Sequence, residues 1–344
     1  METRVIEPGR RRGAVTVPSS KSIAHRELIA AALSGAEPPV IRGESNDTRA
    51  TRSCLKAMMS GEATWPCGES GTTLRLLEPI AGVMGWKGDF ACEGRLGERP
   101  RMPFERKPRY VVPGNVSSQF VSGLLMALPL AAWDSEVAVE GRLQSEAYVR
   151  LTEDVLRESG IEFERTAGGA WRVPGRQTYR FPGGREVEGD WSQAAFFLAM
   201  GVEAKGLRHD SRQGDRAVVE LLAAIDAAPA EGASIDVSQT PDLYPALAAY
   251  AAATGRRVSF SGTERLRLKE SDRIASTAAM IESVRRGEPV RSFGDHRIAM
   301  SAAVMACYSD RPVVVEGPDC VAKSYPRFWD DFDSLETTCG RGRP

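Results

Sequence analysis

The apolar positions of the chain recur in a repeated pattern. Six times, a short turn rich in Ser, Thr, Asp or Gly precedes a helical segment that is apolar nearly all round. Helices of that kind are buried in a protein core rather than laid on its surface. The predicted helices cover residues 20–33, 70–77, 116–128, 190–200, 240–253 and 294–306. We interpret the pattern as six α/β repeats, grouped three and three.

Amphipathic helices and short β-type runs separate these segments. The predicted amphipathic helices cover residues 47–59, 145–159, 215–227, 272–284 and 325–335, and short strands are predicted at residues 13–17, 136–139, 257–260 and 312–315. Only the third repeat contains a clear hairpin, at residues 161–173, with a turn at Gly168-Gly169. The other repeats lack a hairpin, and the second also lacks an amphipathic helix after Arg99-Pro100.

One polar stretch, residues 265–274, concentrates charged side chains at a predicted strand-to-helix turn. Leu266 and Leu268 alternate with basic residues, which predicts the end of a half-buried strand. Ser271 and Asp272 then favour the start of a helix. Two interpretations remain open for this turn: a solvated turn with surface ion pairs, or an anion site that carries its own proton-transfer group.

Length and charge restrict the class of protein. A chain of 344 residues favours two domains. The net charge of −1 gives no bulk attraction for nucleic acid, and no apolar run is long enough to span a membrane. The basic N-terminus is not followed by an apolar signal core, so we expect a cytoplasmic protein. The six cysteines lack zinc-ligand spacing and there are three histidines, so we expect reduced thiols and no metal site.

The polar helix starts are candidate anion sites. A helix N-terminus exposes unpaired N–H groups and the positive end of the helix dipole. Any one of these starts, taken alone, is more often a simple helix cap. Four of them also carry cationic, hydroxyl or amide side chains, which favours phosphorylated substrates. The side chains are Lys21, Ser22 and Arg26; Thr72 and Arg75; Ser117, Ser118 and Gln119; and His296 and Arg297. Neither a P-loop nor a GxGxxG motif occurs.

Motifs along almost the whole chain resemble the 3-phosphoshikimate 1-carboxyvinyltransferase (EPSP synthase) family. They are the segments 18–26, 68–75, 99–100, 116–120, 190, 241–243, 269–273, 295–300 and 323–326. The resemblance implies a two-domain inside-out α/β barrel built from six βαβαββ-type repeats, several of them trimmed in this compact member. Residues 1–18 and 188–344 would form the first domain and residues 19–187 the second, with the active site in the cleft between them.

The resemblance also implies a reaction and its partners. The enolpyruvyl group of phosphoenolpyruvate is transferred to the 5-hydroxyl of shikimate 3-phosphate, and phosphate is released. This is a step of chorismate and aromatic amino acid biosynthesis. The partners would be these two small substrates, without a cofactor, a metal, nucleic acid or a membrane, and we expect a monomer in the cytoplasm.

The resemblance implies catalytic and substrate-binding roles for individual residues. Asp242 would take the hydroxyl proton, Glu270 would move a proton at the phosphoenolpyruvate methylene, and Lys21 would contact both substrates. The residues implied for shikimate 3-phosphate are Lys21, Ser22, Arg26, Ser117, Ser118, Gln119, Ser145, Tyr148, Asp242 and Lys269. Those implied for phosphoenolpyruvate are Lys21, Gly71, Arg99, Gln119, Arg273, Arg297 and Lys323.

The reaction requires these residue types. An acid and a base must act on one centre, arginines bind carboxylate and phosphate with two hydrogen bonds, and clustered cations favour ionised carboxylates. Asp242 could instead be a helix cap after Pro241. Glu69 and Arg265 depart from residues common in the family.

Two alternative functions remain. One is the related transferase that acts on UDP-N-acetylglucosamine, which carries a cysteine in its Arg-Pro loop where this chain has Gly94. The other is a non-catalytic protein of this fold that binds phosphorylated metabolites, and it predicts binding without turnover.

Overall fold

The computed structural model describes residues 2–338 as a mixed α/β structure, so Cys339 lies outside the described part. Its contacts divide the chain into two compact units. The N-terminal unit contains Lys21–Arg42 and Asn46–Val187. The C-terminal unit contains the residues up to Ser20, the short segment Gly43–Ser45 and the chain from Glu188 onward.

The helices and strands are numbered in chain order. The helices are α1 Lys21–Ser34, α2 Asn46–Met59, α3 Gly71–Met84, α4 Ser118–Ala127, α5 Glu146–Glu158, α6 Trp191–Ala199, α7 Val218–Asp226, α8 Tyr244–Ala253, α9 Arg273–Arg286, α10 His296–Ala306 and α11 Phe328–Asp333. The strands are β1 Thr3–Ile6, β2 Arg10–Arg12, β3 Ala14–Thr16, β4 Thr64–Gly68, β5 Asp89–Cys92, β6 Arg109–Pro113, β7 Ser135–Glu140, β8 Glu164–Arg165, β9 Trp171–Val173, β10 Glu203–Lys205, β11 Ala233–Asp236, β12 Val258–Ser261, β13 Val290–Arg291, β14 Val313–Glu316 and β15 Glu336–Thr338.

In the N-terminal unit, the helices α1, α3 and α4 supply the centre of the core. Small side chains let α3 and α4 approach closely, and leucines such as Leu76, Leu77 and Leu125 are fully buried. The sheet order β6-β7-β9-β8 combines one parallel pair with an antiparallel hairpin, and β4 and β5 form a separate parallel pair. The predicted hairpin at residues 161–173 is confirmed as β8 and β9.

In the C-terminal unit, the helices α6, α8 and α10 take the same place in the core. Every residue of α10 is buried, which agrees with its prediction as a helix that is apolar nearly all round. The strands form narrow sheets: β1-β14-β13, and the pairs β3 with β10, β11 with β12, and β2 with β15.

Several predicted boundaries are wrong. Residues 264–268 form a 3-10 helix rather than the end of a strand, with Leu266 fully buried and Leu268 50% exposed. Three residues per turn place these two leucines on different faces, whereas a strand would place them on one. The helix predicted at residues 325–335 is limited to α11. Those predicted at residues 215–227 and 240–253 begin as 3-10 turns, Gly214–Ala217 and Pro241–Leu243.

The described helices include none that is both long and apolar enough to cross a membrane.

Gly123 marks the tightest approach between α3 and α4. A Cβ atom at this position would lie 2.2 Å from the Arg75 carbonyl oxygen, and a backbone atom in the middle of a helix cannot move aside easily. We expect Gly123→Ala to destabilise the protein by about 1–3 kcal/mol, the usual cost of overpacking a core. Thermal unfolding measures this change as a lower melting temperature.

The control is Gly97→Ala. A Cβ atom at Gly97 would meet nothing within 4 Å, so this variant should unfold at the wild-type temperature or slightly above it. Equal melting temperatures for the two variants would contradict the helix contact described here.

Candidate active site

Arg273 lies at the centre of an ion cluster in the C-terminal unit. It is the first residue of α9 and is 1% exposed. Its Nη1 donates to Asp242 at 2.8 Å, its Nη2 donates to Glu270 at 2.5 Å and its Nε donates to Asp295 at 2.9 Å. One guanidinium thus links three carboxylates from three different segments. The interpretation of residues 265–274 as a solvated ion-pair turn is therefore wrong.

Three cationic side chains surround the Asp242 carboxylate. Its carboxylate lies 2.8 Å from Arg273, 3.3 Å from the Lys269 Nζ and 3.4 Å from the Arg297 guanidinium. Burial alone would raise the pKa of Asp242, but Arg297, Lys269 and Arg273 together hold this pKa well below its usual range. The alternative prediction of a helix cap is wrong, because Leu243 holds the cap position of α8.

Lys269 lies beside Asp242, and Glu270 lies beside Arg273. Burial lowers the pKa of Lys269, while the Asp242 carboxylate opposes that change. The Glu270 side chain is 12% exposed and that of Asp242 is 22% exposed, so both carboxylates retain partial access to solvent, whereas the Asp295 side chain is fully buried. The predicted role of Asp272 as a cap is confirmed, since its carboxylate accepts from the N–H groups of Ile274 and Ala275.

The start of α10 supplies two further members of the ion cluster, Asp295 and Arg297. Asp295 caps this helix by accepting from the N–H of Arg297, and it also accepts from the Ser271 hydroxyl. Arg297 donates to the Asp242 carbonyl oxygen at 2.9 Å and to the Ser192 hydroxyl at 2.7 Å. Lys323 ends a 3-10 helix, Pro318–Lys323, and is buried.

In the N-terminal unit, the start of α1 presents two cations. The Lys21 Nζ lies 2.7 Å from the Asp47 carboxylate of α2. Arg26 is 1% exposed, and its guanidinium donates to the Thr152 hydroxyl at 2.7 Å, the Tyr148 carbonyl at 2.9 Å and the Ser122 hydroxyl at 3.2 Å. Burial lowers the pKa of Arg26 to about 10.

A polar cradle surrounds the start of α3, where Ser70 caps the helix ahead of Gly71. A Cβ atom on Gly71 would lie 3.2 Å from the guanidinium nitrogens of both Arg75 and Arg99. Gln119 accepts from Arg75 at 2.8 Å and donates to the Thr72 hydroxyl at 2.7 Å. We call Gly71, Thr72, Arg75, Arg99 and Gln119 the anion cradle, because two arginines and a helix N-terminus meet there.

The remaining predicted residues lie at the starts of α4 and α5. Ser117 caps α4 and Ser118 is the first residue of that helix. Ser145 precedes α5 in the left-handed backbone region, at φ 57°. The Tyr148 carbonyl accepts from Arg26, so the starts of α1 and α5 are in direct contact.

The sequence interpretation missed a buried chain of hydroxyl groups behind these helix starts. His25 Nδ1 lies 2.6 Å from the Thr51 hydroxyl, which lies 2.6 Å from the Thr73 hydroxyl, and Thr73 donates to Ser70. This chain joins α1, α2 and the cap of α3. Burial lowers the pKa of His25 to about 3, so the imidazole is neutral in the folded protein.

Asp47 and Asp295 are further residues to which the sequence interpretation gave no role. Both lie in segments that the sequence analysis singled out, and burial of a charged side chain at a helix start was the missing signal. Within residues 2–338, no group of three or more His, Cys, Asp or Glu side chains is arranged to hold a metal ion.

Comparisons with known proteins were made for the whole chain. The family model described as EPSP synthase (3-phosphoshikimate 1-carboxyvinyltransferase) matches residues 5–105 and 105–332. A 3-phosphoshikimate 1-carboxyvinyltransferase of Clostridium kluyveri is 34% identical, over 96% of this chain and 96% of its own length. That of Clostridium perfringens strain SM101 is also 34% identical, over 97% of this chain and 98% of its own.

A solved structure shares the fold. The EPSP synthase from Acinetobacter baumannii superimposes with a TM-score of 0.71, covering 98% of this chain and 99% of the other, at 21% sequence identity.

The buried His25 should make stability depend on pH. An unfolded histidine takes up a proton near pH 6.5, but the folded protein does so only near pH 3. As the pH falls from about 6.5 towards 3, the unfolded chain therefore binds a proton that the folded protein does not, and stability falls. We expect a loss of about 2 kcal/mol between pH 7 and pH 5 from this residue, measured by urea unfolding.

The test variant is His25→Asn, which can keep the hydrogen bond to Thr51 without titrating. It should lose less stability than the wild type over the same interval, whereas His209→Asn, at an exposed histidine, should behave as the wild type. An unchanged pH dependence in His25→Asn would contradict this account.

Proposed function

The chain belongs to the EPSP synthase (3-phosphoshikimate 1-carboxyvinyltransferase) family, and from this premise we propose how its residues carry out the reaction. The family prediction from the motifs is confirmed by the match to the family model and by relatives at 34% identity. The function is transfer of the enolpyruvyl group of phosphoenolpyruvate to the 5-hydroxyl of shikimate 3-phosphate in the shikimate pathway. The enzyme is a transferase.

We propose a compact form of the six-repeat inside-out barrel, with domains formed by residues 1–18 plus 188–344 and by residues 19–187. Three buried apolar helices in each compact unit support the grouping of repeats. The alignment with the Clostridium kluyveri relative extends over 411 positions although this chain has 344 residues. Internal segments of the relative are therefore missing here, in agreement with trimmed hairpins.

In the C-terminal unit, Asp242 accepts the proton of the attacking 5-hydroxyl. The three cations around it keep it ionised in the free protein, but a carboxylate with so low a pKa is a weak base. Anionic substrates compete for Lys269, Arg273 and Arg297, and this competition raises the pKa of Asp242. Binding of the substrates therefore makes Asp242 a stronger base.

Glu270 delivers a proton to the methylene carbon while the hydroxyl attacks the neighbouring carbon. The product of this step is a tetrahedral intermediate that carries phosphate. Glu270 then removes a proton from the same carbon as phosphate leaves. Its partial exposure allows proton exchange with solvent. The ion pair with Arg273 favours the ionised form, and the anionic groups of phosphoenolpyruvate, by competing for Arg273, favour the protonated form that acts as the acid. Arg273, Arg297 and Lys323 bind the anionic groups of phosphoenolpyruvate, and Lys269 binds shikimate 3-phosphate.

In the N-terminal unit, Lys21 contacts both substrates. Shikimate 3-phosphate is bound by Ser22, Arg26, Ser117, Ser118, Gln119, Ser145 and Tyr148, as the family motifs imply. The Arg26 guanidinium has internal partners, so its contact with substrate requires exchange of at least one of them. Phosphoenolpyruvate is bound by Gly71, Arg99 and Gln119 of the anion cradle, whose two arginines support this assignment.

The enzyme acts as a monomer, in the cytoplasm and without a cofactor, and all three statements stay predictions.

Phosphate release tests the choice of acceptor. We expect release from phosphoenolpyruvate when shikimate 3-phosphate is added and none when UDP-N-acetylglucosamine is added, measured with purified protein. Release with the nucleotide sugar alone would favour the related transferase. Binding of both shikimate-pathway substrates without release would favour a non-catalytic protein.

Glu270→Gln tests the proton-transfer role. Loss of a positioned acid and base costs about a hundredfold to ten-thousandfold in turnover, and we expect a decrease of that size in steady-state kcat. The melting temperature should fall as well, because the buried Arg273 loses one of its three charged partners, so kcat is measured well below the melting temperature of the variant. Glu282→Gln is the matched control, because Glu282 lies on α9, the helix that follows Glu270, and pairs with Arg286 at 2.6 Å on an exposed face. Near wild-type kcat for Glu270→Gln would refute the role.

A further inference from the structure

Three cysteines that are distant in sequence meet in the N-terminal unit. Cys54 lies in α2, Cys67 near the end of β4 and Cys92 at the end of β5. The thiols of Cys54 and Cys92 are close enough to the Cys67 thiol to shift its pKa. The sequence analysis found no spacing that relates these residues, and the proposed reaction uses none of them.

The strand pairing sets the geometry between Cys67 and Cys92. Gly68 is the partner of Cys92 in the parallel pair, and a bulge between Pro66 and Gly68 makes Cys67 the extra residue. A bulge re-aims a side chain. With strands about 4.8 Å apart, a one-residue offset places the two Cα atoms about 6 Å apart, within the range that a disulfide can bridge.

Accessibility distinguishes the three thiols. Cys54 and Cys67 are fully buried, whereas Cys92 is partly exposed. Burial, then the neighbouring Cys67 thiol, raise the pKa of Cys92 to about 11, and Arg101 opposes this shift. The hydrogen bond with Cys54, then burial, raise the pKa of Cys67. An oxidant therefore meets Cys92 first, with Cys67 as the thiol beside it.

We propose that Cys67 and Cys92 are an oxidation site at which hydrogen peroxide forms a reversible disulfide, and that this disulfide weakens the binding of phosphoenolpyruvate. The second half of the proposal rests on the proposed function, whereas the first half does not.

The chemistry balances in two steps. The Cys92 thiolate attacks one peroxide oxygen, so that an S–O bond forms, the O–O bond breaks and hydroxide leaves, which takes up a proton to become water. The Cys67 sulfur then attacks the Cys92 sulfur; an S–S bond forms, the S–O bond breaks and a second water leaves with the Cys67 proton. The two thiols lose two electrons, and one peroxide is reduced to two waters.

Both cysteines adjoin the anion cradle. The Cys67 thiol donates to the Ser70 carbonyl at 3.4 Å, and Ser70 caps α3 immediately before Gly71. Cys92 leads directly into the 3-10 turn Gly94–Glu98, which is followed by Arg99. The backbones of these two loops are joined by one hydrogen bond, from the Glu93 N–H to the Gly68 carbonyl at 2.8 Å. A disulfide would remove the thiol's hydrogen bond to Ser70 and draw the bases of both loops together.

Peptide mapping tests the disulfide without reference to activity. Trypsin cleaves after Lys56, Arg75 and Lys87, so the three cysteines fall on three different peptides. After peroxide treatment of the full-length protein, we expect the peptides of Cys67 and Cys92 to be cross-linked, and dithiothreitol to release them. The rate of cross-linking should rise about tenfold for each pH unit between pH 7 and pH 9, because the thiolate of Cys92 is a minor species there. A link between Cys54 and Cys67, or no link at all, would overturn the site.

Steady-state kinetics on the same samples test whether the disulfide weakens the binding of phosphoenolpyruvate. We expect the KM for phosphoenolpyruvate to rise about tenfold in the oxidised protein, the equivalent of one weakened charged hydrogen bond. Dithiothreitol should reverse the change, and kcat should change less. A disulfide with unchanged KM would overturn the coupling. If the reduced protein releases no phosphate, the proposed function fails while the peptide map still decides the disulfide.

Variants complete the design. Cys92→Ser and Cys92→Ala should be as active as the wild-type protein with reduced thiols, and both should lose the cross-link and the peroxide effect. Two different substitutions are used in case one of them causes a folding defect. Cys320→Ser is the matched control, because Cys320 is a partly exposed cysteine of the C-terminal unit. It should respond to peroxide as the wild type does. A peroxide effect that persists in both Cys92 variants would assign it to another residue.

Discussion

The burial of the Arg273 guanidinium constrains the C-terminal unit more than any other single interaction. Removing a cation from water costs several kcal/mol unless its hydrogen bonds and its charge are compensated. Here compensation requires Asp242, Glu270 and Asp295 at once, and they come from a 3-10 helix, a turn and a helix cap. Satisfying one side chain therefore fixes the relative positions of three segments. The candidate catalytic carboxylates, Asp242 and Glu270, are held in place by the same interaction that stabilises this part of the fold.

In the N-terminal unit, hydroxyl groups make the buried polar contacts that hold the helix starts together. The starts of its helices lie close to Thr51 and Thr73. The hydroxyls of these two residues form a chain of hydrogen bonds that links the buried His25 to Ser70, the cap of α3. Short, neutral side chains cost less to bury than charges, and each hydroxyl can donate and accept at the same time. This leaves the cations of the unit, such as Lys21 with its ion pair to Asp47, at the helix ends, where an anionic ligand can compete for them.

The sequence predicted the buried apolar helices well because a helix with small apolar residues all round has a composition that local pattern detects. It predicted the charged residues of the turn near Arg273 but not their geometry, since Leu266 and Leu268 fit a strand and a 3-10 helix equally until tertiary packing decides. Asp295 could not be assigned for another reason. Its partner, Arg273, is 22 residues away, and no periodicity reports such a contact. The cysteine cluster was missed for the same reason.

The candidate site residues lie apart from the β8–β9 hairpin. They occupy helix starts and the loops after parallel strands, as Gly71 and Arg99 do after β4 and β5. In the sheet that contains the hairpin, β9 pairs with the edge of β7 that faces away from β6, and none of the candidate residues lies within residues 161–173. A hairpin thus widens a sheet and buries apolar surface without supplying a reactive group. A chain with narrower sheets buries less surface on folding, so its stability must rest more heavily on the packing of the six apolar helices.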